Sequence, residues 1–409
     1  MALTREELGR RIRSARESCG LTQEQLGEPT GLSRLAVGQI ESGARSVSSL
    51  ELDRIAYAVG RDIKSFFADA FVEQDALAAL FRSDDELAEQ AARVKALQDS
   101  LALGREMTTL ERLLGIDRAQ LLTATYDLPV PKSRWEAIQQ GQKVAAEERQ
   151  RLGMGEAPAG DLAELLESQG VRAAFVQLPT NISGLTLADV NIGVFVVVNA
   201  GHVAVRQRYS LAHEYAHVLM DRDRSGAISR AENRADLLEV RANAFAAELL
   251  MPADGVAQFV HGLGKGAQSR SQVAVFDESE ALQAEQRATP GSQDIQLYDA
   301  VLLAHHFGAS RIATLYRLKN MKLIDDTEFQ RLKGEEDQGA GRTIAEFLAV
   351  REAKQDQSSR DEFRRRFMGL ALEAFRRDEI TKAKLTELAA MVDLSRCEVQ
   401  NVLTSMQLE

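Results

Sequence analysis

The stretch Leu211 to Leu219 reads Leu-Ala-His-Glu-Tyr-Ala-His-Val-Leu. His213 and His217 stand four residues apart in an apolar run of helical periodicity. On a helix both imidazoles project from one face and can reach a single cation. Glu214 points roughly a quarter-turn away. There its carboxylate can take a proton from a cation-held water without being a ligand itself. Two imidazoles plus an adjacent carboxylate form the donor pattern of a zinc hydrolase. The chain has only 6 His, so this spacing carries information.

Two histidines leave such a site one protein donor short, and the helix that follows supplies carboxylates: Glu232, Glu239 and Glu248. Glu248 lies two and a half turns beyond Glu239 and faces the other way, whereas Glu232, two turns before it, shares its face. Spacing alone leaves Glu239 and Glu232 open. Asn243, one turn past Glu239, is placed to orient a ligand.

Further motifs surround this core: Gly184-Leu185-Thr186 in a strand, Val198-Asn199 at a strand end, Arg206 to Met220 around the histidines, and Glu239-x-x-Ala-Asn running on to Met251-Pro252. Together they resemble the ImmA/IrrE family of metallopeptidases over residues 130–320. The resemblance implies a zincin-type endopeptidase with His213, His217 and Glu239 on the metal and Glu214 as the catalytic base. It also implies a protein substrate, a repressor or antitoxin-like partner in stress response or mobile-element control. Zinc is the expected cofactor, although a His-His-Glu set also accepts manganese or iron. The alternative is a regulator whose metallopeptidase-like domain is a non-catalytic sensor. Tyr209, Tyr215 and His202 are candidate oxyanion donors.

The elements that must position these groups read as a helix from Ser133 with Trp135, Ile138 and Val144 on its apolar face, a helix over 161–169, and strands over 171–178, 182–187 and 193–199. In a zincin arrangement one strand edges the cleft and pairs with substrate. Val194–Asn199 or Leu185–Leu187 is the candidate. Arg206 to Tyr209 lead into the metal helix, as cleft rim or as caps. Residues 221–229 read as a charged loop, and 262–295, polar and short of large apolar residues, as a mobile insertion. Residues 299–308, with His305 and His306, read as a structural helix.

Residues 1–67 predict five short helices, with Leu8, Ile12 and Ala15 on one side of the first. Thr22 and Gln25 have capping-box spacing, a tight connection falls around Pro29-Thr30-Gly31, and Ser33 caps the helix after it. The run from Leu21 to Gly60 resembles the XRE-type helix-turn-helix family. That implies duplex DNA as a partner, with Ser33, Arg34, Leu35, Ala36 and Gln39 facing base edges and Gln23 and Arg45 touching phosphates. From Ala70 to Gly104, Leu77, Leu80, Leu87, Ala91, Val94 and Leu101 follow three- and four-residue steps. This is either a dimerising coiled coil, hence a possible homodimer, or packing within the chain. Residues 105–131 read as short helices.

The expected organisation is mostly α with a small mixed sheet (α+β). It comprises a helix-turn-helix bundle at 1–68, a helical linker at 69–131, the zincin-like domain at 132–334 and a helical C-terminal module at 335–409. The stretch 335–342 reads as flexible. The chain carries 50 Lys and Arg against 61 Asp and Glu, a net charge of −11, which predicts weak non-specific DNA binding. Residues 1–67 nonetheless balance at +1. Lys384 to Ser395 faintly suggests a second helix-turn-helix. Residues 339–409 carry 12 charges of each sign, so a docking or oligomerisation role is the reading there. Two cysteines far apart, no signal peptide and no apolar run of membrane length predict a cytoplasmic protein without membrane attachment.

Overall fold

The computed structural model describes residues 3–19, 21–59, 61, 63–67, 87–116, 124–189, 193–221, 227–230, 236–265, 270–276, 281–287, 292–350 and 357–406. The N-terminal bundle consists of α1 (Arg5–Ser18), α2 (Gln23–Thr30), α3 (Arg34–Glu41), α4 (Ser49–Ala58) and a 3-10 helix (Ile63–Phe67). Thr4, Thr22, Ser33 and Ser48 each accept a backbone N–H of the turn that follows. Thr22 with Gln25 and Ser48 with Glu51 close capping boxes, which is why short helices begin where they do. Pro29 and Thr30 still belong to α2, and the turn starts only at Gly31, whose φ of +69° suits glycine. Ile12, Ala15, Leu26, Val37, Ile40 and Ile55 fill the bundle core, and Leu8 packs against it.

The linker differs from the expectation. One continuous helix, α5 (Leu87–Leu113), replaces the break near 104 and the short helices after it. Leu77 and Leu80 of the predicted seam lie outside the described residues. Leu101, Leu103, Met107 and Leu110 are buried against the rest of the same chain. This end of the seam is therefore satisfied without a second copy.

The sheet contains β1 (Arg172–Val176), β2 (Ile182–Asp189), β3 (Gly193–Asn199) and β4 (Ala227–Arg230) in the order β1-β3-β2-β4. β1 runs parallel to β3, and β2 is antiparallel to both β3 and β4. Neither candidate edge strand is therefore at an edge: β3 is central and Ile182–Thr186 of β2 is covered by β4. β4 arises inside the stretch read as a charged loop, because four residues are too few to show alternation. The apolar run of β3 reflects burial on both faces. Phe195 and Val197 join the N-terminal bundle's cluster, while Val196 and Val198 join the cluster of the metal helix. Each contributes about 2 kcal/mol of burial.

On the second face pack α6 (Arg134–Arg151), α7 (Leu162–Ser168), α8 (Ala204–Met220), α9 (Leu237–Leu250), α10 (Ala253–Gly262), α11 (Leu297–Phe307), α12 (Arg311–Asn320), α13 (Asp326–Asp337) and α14 (Ala340–Phe347). α6 lies along α9 through Gly141, where a Cβ would sit 2.3 Å from the Arg241 carbonyl oxygen. Its inner face is Ala137, Gly141, Val144 and Ala145. Trp135, two residues before Ala137 and so roughly opposite on the helix, is 72% exposed rather than inward. Residues 335–342 are not a flexible stretch either, since α13 and α14 run through most of them with Gly339 (φ +87°) at the join. Within 262–295, Arg270–Phe276 and Ala281–Arg287 form an antiparallel hairpin, β5 and β6, where composition alone suggested a loop.

On the first face, beside the N-terminal bundle and α5, lie α15 (Gln357–Arg376), α16 (Lys382–Ala390) and α17 (Arg396–Ser405). Phe363, Phe367 and Ala371 share a cluster with Ala174, Phe195 and Val197. Among the described residues no helix is long and apolar enough to cross a membrane.

Candidate metal centre

α8 is buried on every side from Ser210 to Met220, sandwiched between the sheet and α9. A helix apolar all round belongs in a core, so its polar members are the exceptions that need partners. Arg206 donates to the Ser183 hydroxyl, Gln207 to the Ala200 and His202 carbonyls, and Arg208 to the Ala159 and Gly160 carbonyls. These three tie the start of the helix to the segments around it.

The histidine Nε2 atoms of α8 meet the carboxylate of Glu239 from the first turn of α9. His213 Nε2 lies 3.1 Å from Glu239 Oε2, His217 Nε2 3.5 Å from Glu239 Oε1, and the two Nε2 atoms 3.3 Å apart. Ligand atoms of these three residues lie within 4.8 Å of one another, and all three residues are buried. The other ring nitrogens are occupied. His213 Nδ1 is 3.1 Å from Asn243 Oδ1, which also accepts from the Tyr209 hydroxyl at 2.9 Å. His217 Nδ1 is 2.9 Å from Asp221 Oδ2, and Arg241 holds the other oxygen of Asp221 at 2.5 Å. An acceptor at each Nδ1 places the proton there and leaves each Nε2 lone pair directed at the shared point.

Without an ion, the same point draws a proton onto His217. Burial disfavours a charge on His217, but bonds to Asp221 and Glu239 and the field of Glu214 outweigh it and raise its pKa to about 10. Burial also favours neutral Glu239, yet the two imidazoles pull its pKa down to about 2. A buried pocket with this carboxylate excess calls for positive charge, and two imidazoles plus one carboxylate suit zinc. The donor set fits the ion.

Glu214 is fully buried, and its Oε2 accepts from the Thr186 hydroxyl at 2.7 Å. A Cβ on Gly184 would come within 2.8 Å of Glu214 Oε1. The Gly-Leu-Thr motif therefore has a physical role: glycine leaves room for the carboxylate and threonine fixes it. Sequence reading missed this, and it missed Asp221 and Arg241. The four-residue step from His217 to Asp221 along one helix was the available signal.

One rival donor is elsewhere. Glu248 pairs with Arg317 and accepts from the Ala253 N–H, and Glu232 lies outside the described residues. Tyr215 donates to Glu148, and His202 contacts the Thr180 carbonyl. Of the oxyanion candidates only Tyr209 borders the centre, with its hydroxyl on Asn243. His306 packs on Phe259. A cavity of about 900 Å³ lies apart from this centre, between α4, α5, the end of β1 and α15–α16.

In the N-terminal bundle Arg34, Leu35 and Gln39 are exposed and Ala36 half-buried. The Ser33 hydroxyl caps α3. Gln23 donates to Glu41 at 2.8 Å, and Glu41 is itself paired with Arg16 in the core. Arg45 pairs with Glu51 at 2.5 Å.

Residues 166–319 match the family model described as the IrrE N-terminal-like domain, and residues 7–63 match that of a helix-turn-helix domain. The first match starts later than the resemblance over 130–320, leaving α6 outside it. A search of curated proteins gave no match. The chain thus joins a helix-turn-helix domain, which implies DNA binding, to an IrrE-like, peptidase-type domain of a family that typically holds zinc.

Proposed function

We propose that this chain is a DNA-binding regulator whose IrrE-like domain holds one zinc ion on His213, His217 and Glu239 and hydrolyses a peptide bond in a repressor- or antitoxin-like protein. The observation that carries this reading is the convergence of two Nε2 atoms and one carboxylate, with each Nδ1 already engaged. Manganese or iron would suit the same donors. When bound, the ion polarises the scissile carbonyl and makes water a stronger acid. Glu214 accepts the water's proton and returns it to the departing amine. Thr186 and Gly184 keep that carboxylate aimed, Asn243 with Tyr209 orients His213, and Asp221 with Arg241 orients His217.

In the N-terminal domain Arg34 and Gln39 have the chemistry to read guanine and adenine, flanked by Ser33, Leu35 and Ala36. Gln23 and Arg45 approach phosphates after giving up part of their bonds to Glu41 and Glu51. Two such domains from a homodimer would read paired half-sites, in the cytoplasm.

Burial of all three donors and of Glu214 favours a second reading, a sensor in which the metal only stabilises a partner-binding shape. Glu214→Gln separates the two. Under the catalytic reading, protein N-termini generated in wild-type cells disappear in the variant while zinc content holds at one per chain. Unchanged N-termini and unchanged regulation would leave the sensor.

A further inference from the structure

The turn between α16 and α17 repeats the turn between α2 and α3 bond for bond. In the N-terminal unit the Leu32 N–H donates to the Gly27 carbonyl at 2.9 Å and the Gly31 N–H to that of Glu28 at 3.4 Å. In the C-terminal unit Leu394 N–H donates to Ala389 at 3.0 Å and Asp393 N–H to Ala390 at 3.2 Å. Gly31 and Asp393 each stand two residues before the cap of the second helix, with φ of +69° and +60°. An aspartate tolerates that left-handed conformation better than most residues. Ser33 and Ser395 cap α3 and α17, accepting from Ala36 and Glu398 at 3.2 and 3.3 Å. Leu26 and Leu388 are buried under the two first helices, Val37 and Val399 under the two second ones. One constant offset relates every pair.

The outward face of α17 is polar apart from Val402 and suited to base edges. Arg396, Cys397, Gln400, Asn401 and Thr404 are exposed, while Val399 and Leu403 are buried. Arg396 occupies the place of Arg34, and the amide of Asn401 that of Gln39. These side chains pair bidentately with guanine and adenine. Glu398 replaces Ala36, but its carboxylate is turned back onto the cap, accepting from the Ser395 N–H and hydroxyl at 2.7 Å each. Residues 357–406 carry nine Lys and Arg against eight Asp and Glu, the same balance of +1 as residues 1–67. The acidity of the chain resides in what lies between.

We infer that α16–α17 is a second unit that reads duplex DNA, with Arg396, Gln400 and Asn401 of α17 facing the bases. One chain then recognises two separate stretches of sequence.

The test selects binding sites from a random-sequence duplex pool with the full chain and with two double variants, R34A/Q39A and R396A/N401A. All four positions are exposed, and an unchanged helical circular dichroism spectrum controls for folding. The wild-type protein should select two blocks of base preference. R396A/N401A should flatten one block, keep the other, and weaken binding to the selected duplex roughly 10- to 100-fold. R34A/Q39A should do the reverse. Cys397 supplies an independent readout, because Cys19 is buried: the selected duplex should slow maleimide alkylation of Cys397. A single block unaffected by R396A/N401A, alkylation equally fast with and without DNA, or failure to enrich any duplex would overturn the proposal. The first two of those results would identify the unit as a protein contact.

Discussion

The two faces of the sheet are built on the same apolar alternation and do different work. Toward the N-terminal bundle, β3 contributes Phe195 and Val197 to a cluster completed by Phe363, Phe367 and Ala371. Toward α8 it contributes Val196 and Val198, and beyond them lie the buried ionisable side chains of His213, Glu214, His217, Glu239 and Arg241. One face buys cohesion; the other spends it on buried charge held by second partners. Position matters more than hydrophobicity on the metal side, and the reverse holds on the other.

Substitutions on the two faces should therefore fail differently. Glu239→Ala should abolish stoichiometric zinc, measured by elemental analysis of the purified chain, since two imidazoles alone do not complete the set. Retention of one zinc per chain would remove Glu239 from the ligands. Phe367→Ala should cost about 3–5 kcal/mol in denaturant unfolding while zinc affinity stays unchanged. A parallel loss of zinc would mean that the faces are not separable. Asp221→Ala should weaken zinc about 10- to 100-fold in a chelator competition and also lower unfolding stability, because it leaves the buried Arg241 without its carboxylate. Smallest per step is the pH slope. His217 has a pKa raised to about 10, so below that pH zinc must displace its proton, and apparent affinity should rise about tenfold per pH unit from 6 to 9. Glu239, with a pKa near 2, is ionised throughout and adds no slope. In chelator-treated protein the sign reverses. The raised pKa of His217 gives stability fully present below the ordinary histidine value of 6.5 and lost as pH rises through about 10. A melting temperature that rises over that window would refute the assignment.

What the sequence disclosed follows from range. His213, Glu214 and His217 were legible because one helix sets their geometry, and the helix-turn-helix because its caps and its glycine are local. Thr186 meets Glu214 across 28 positions and Arg241 meets Asp221 across 20, distances no periodicity encodes. β4 was too short to read. Trp135 misled because the face of α6 is chosen by small residues that admit α9, not by its largest apolar side chain. In the C-terminal region the faint helix-turn-helix pattern of Lys384 to Ser395 was set aside on an even charge balance, whereas the backbone bonding of its turn is plain.

The doubly covered β3 also bears on how the chain divides. A fragment of residues 132–334 would contain every proposed metal ligand, yet it would turn Leu185, Leu187, Phe195 and Val197 toward water, because α15 and the N-terminal bundle share their cluster. The borders suggested by motifs are not the borders at which this polypeptide can be cut. The peptidase-like region borrows part of its interior from the chain's two ends, and its integrity reports on theirs.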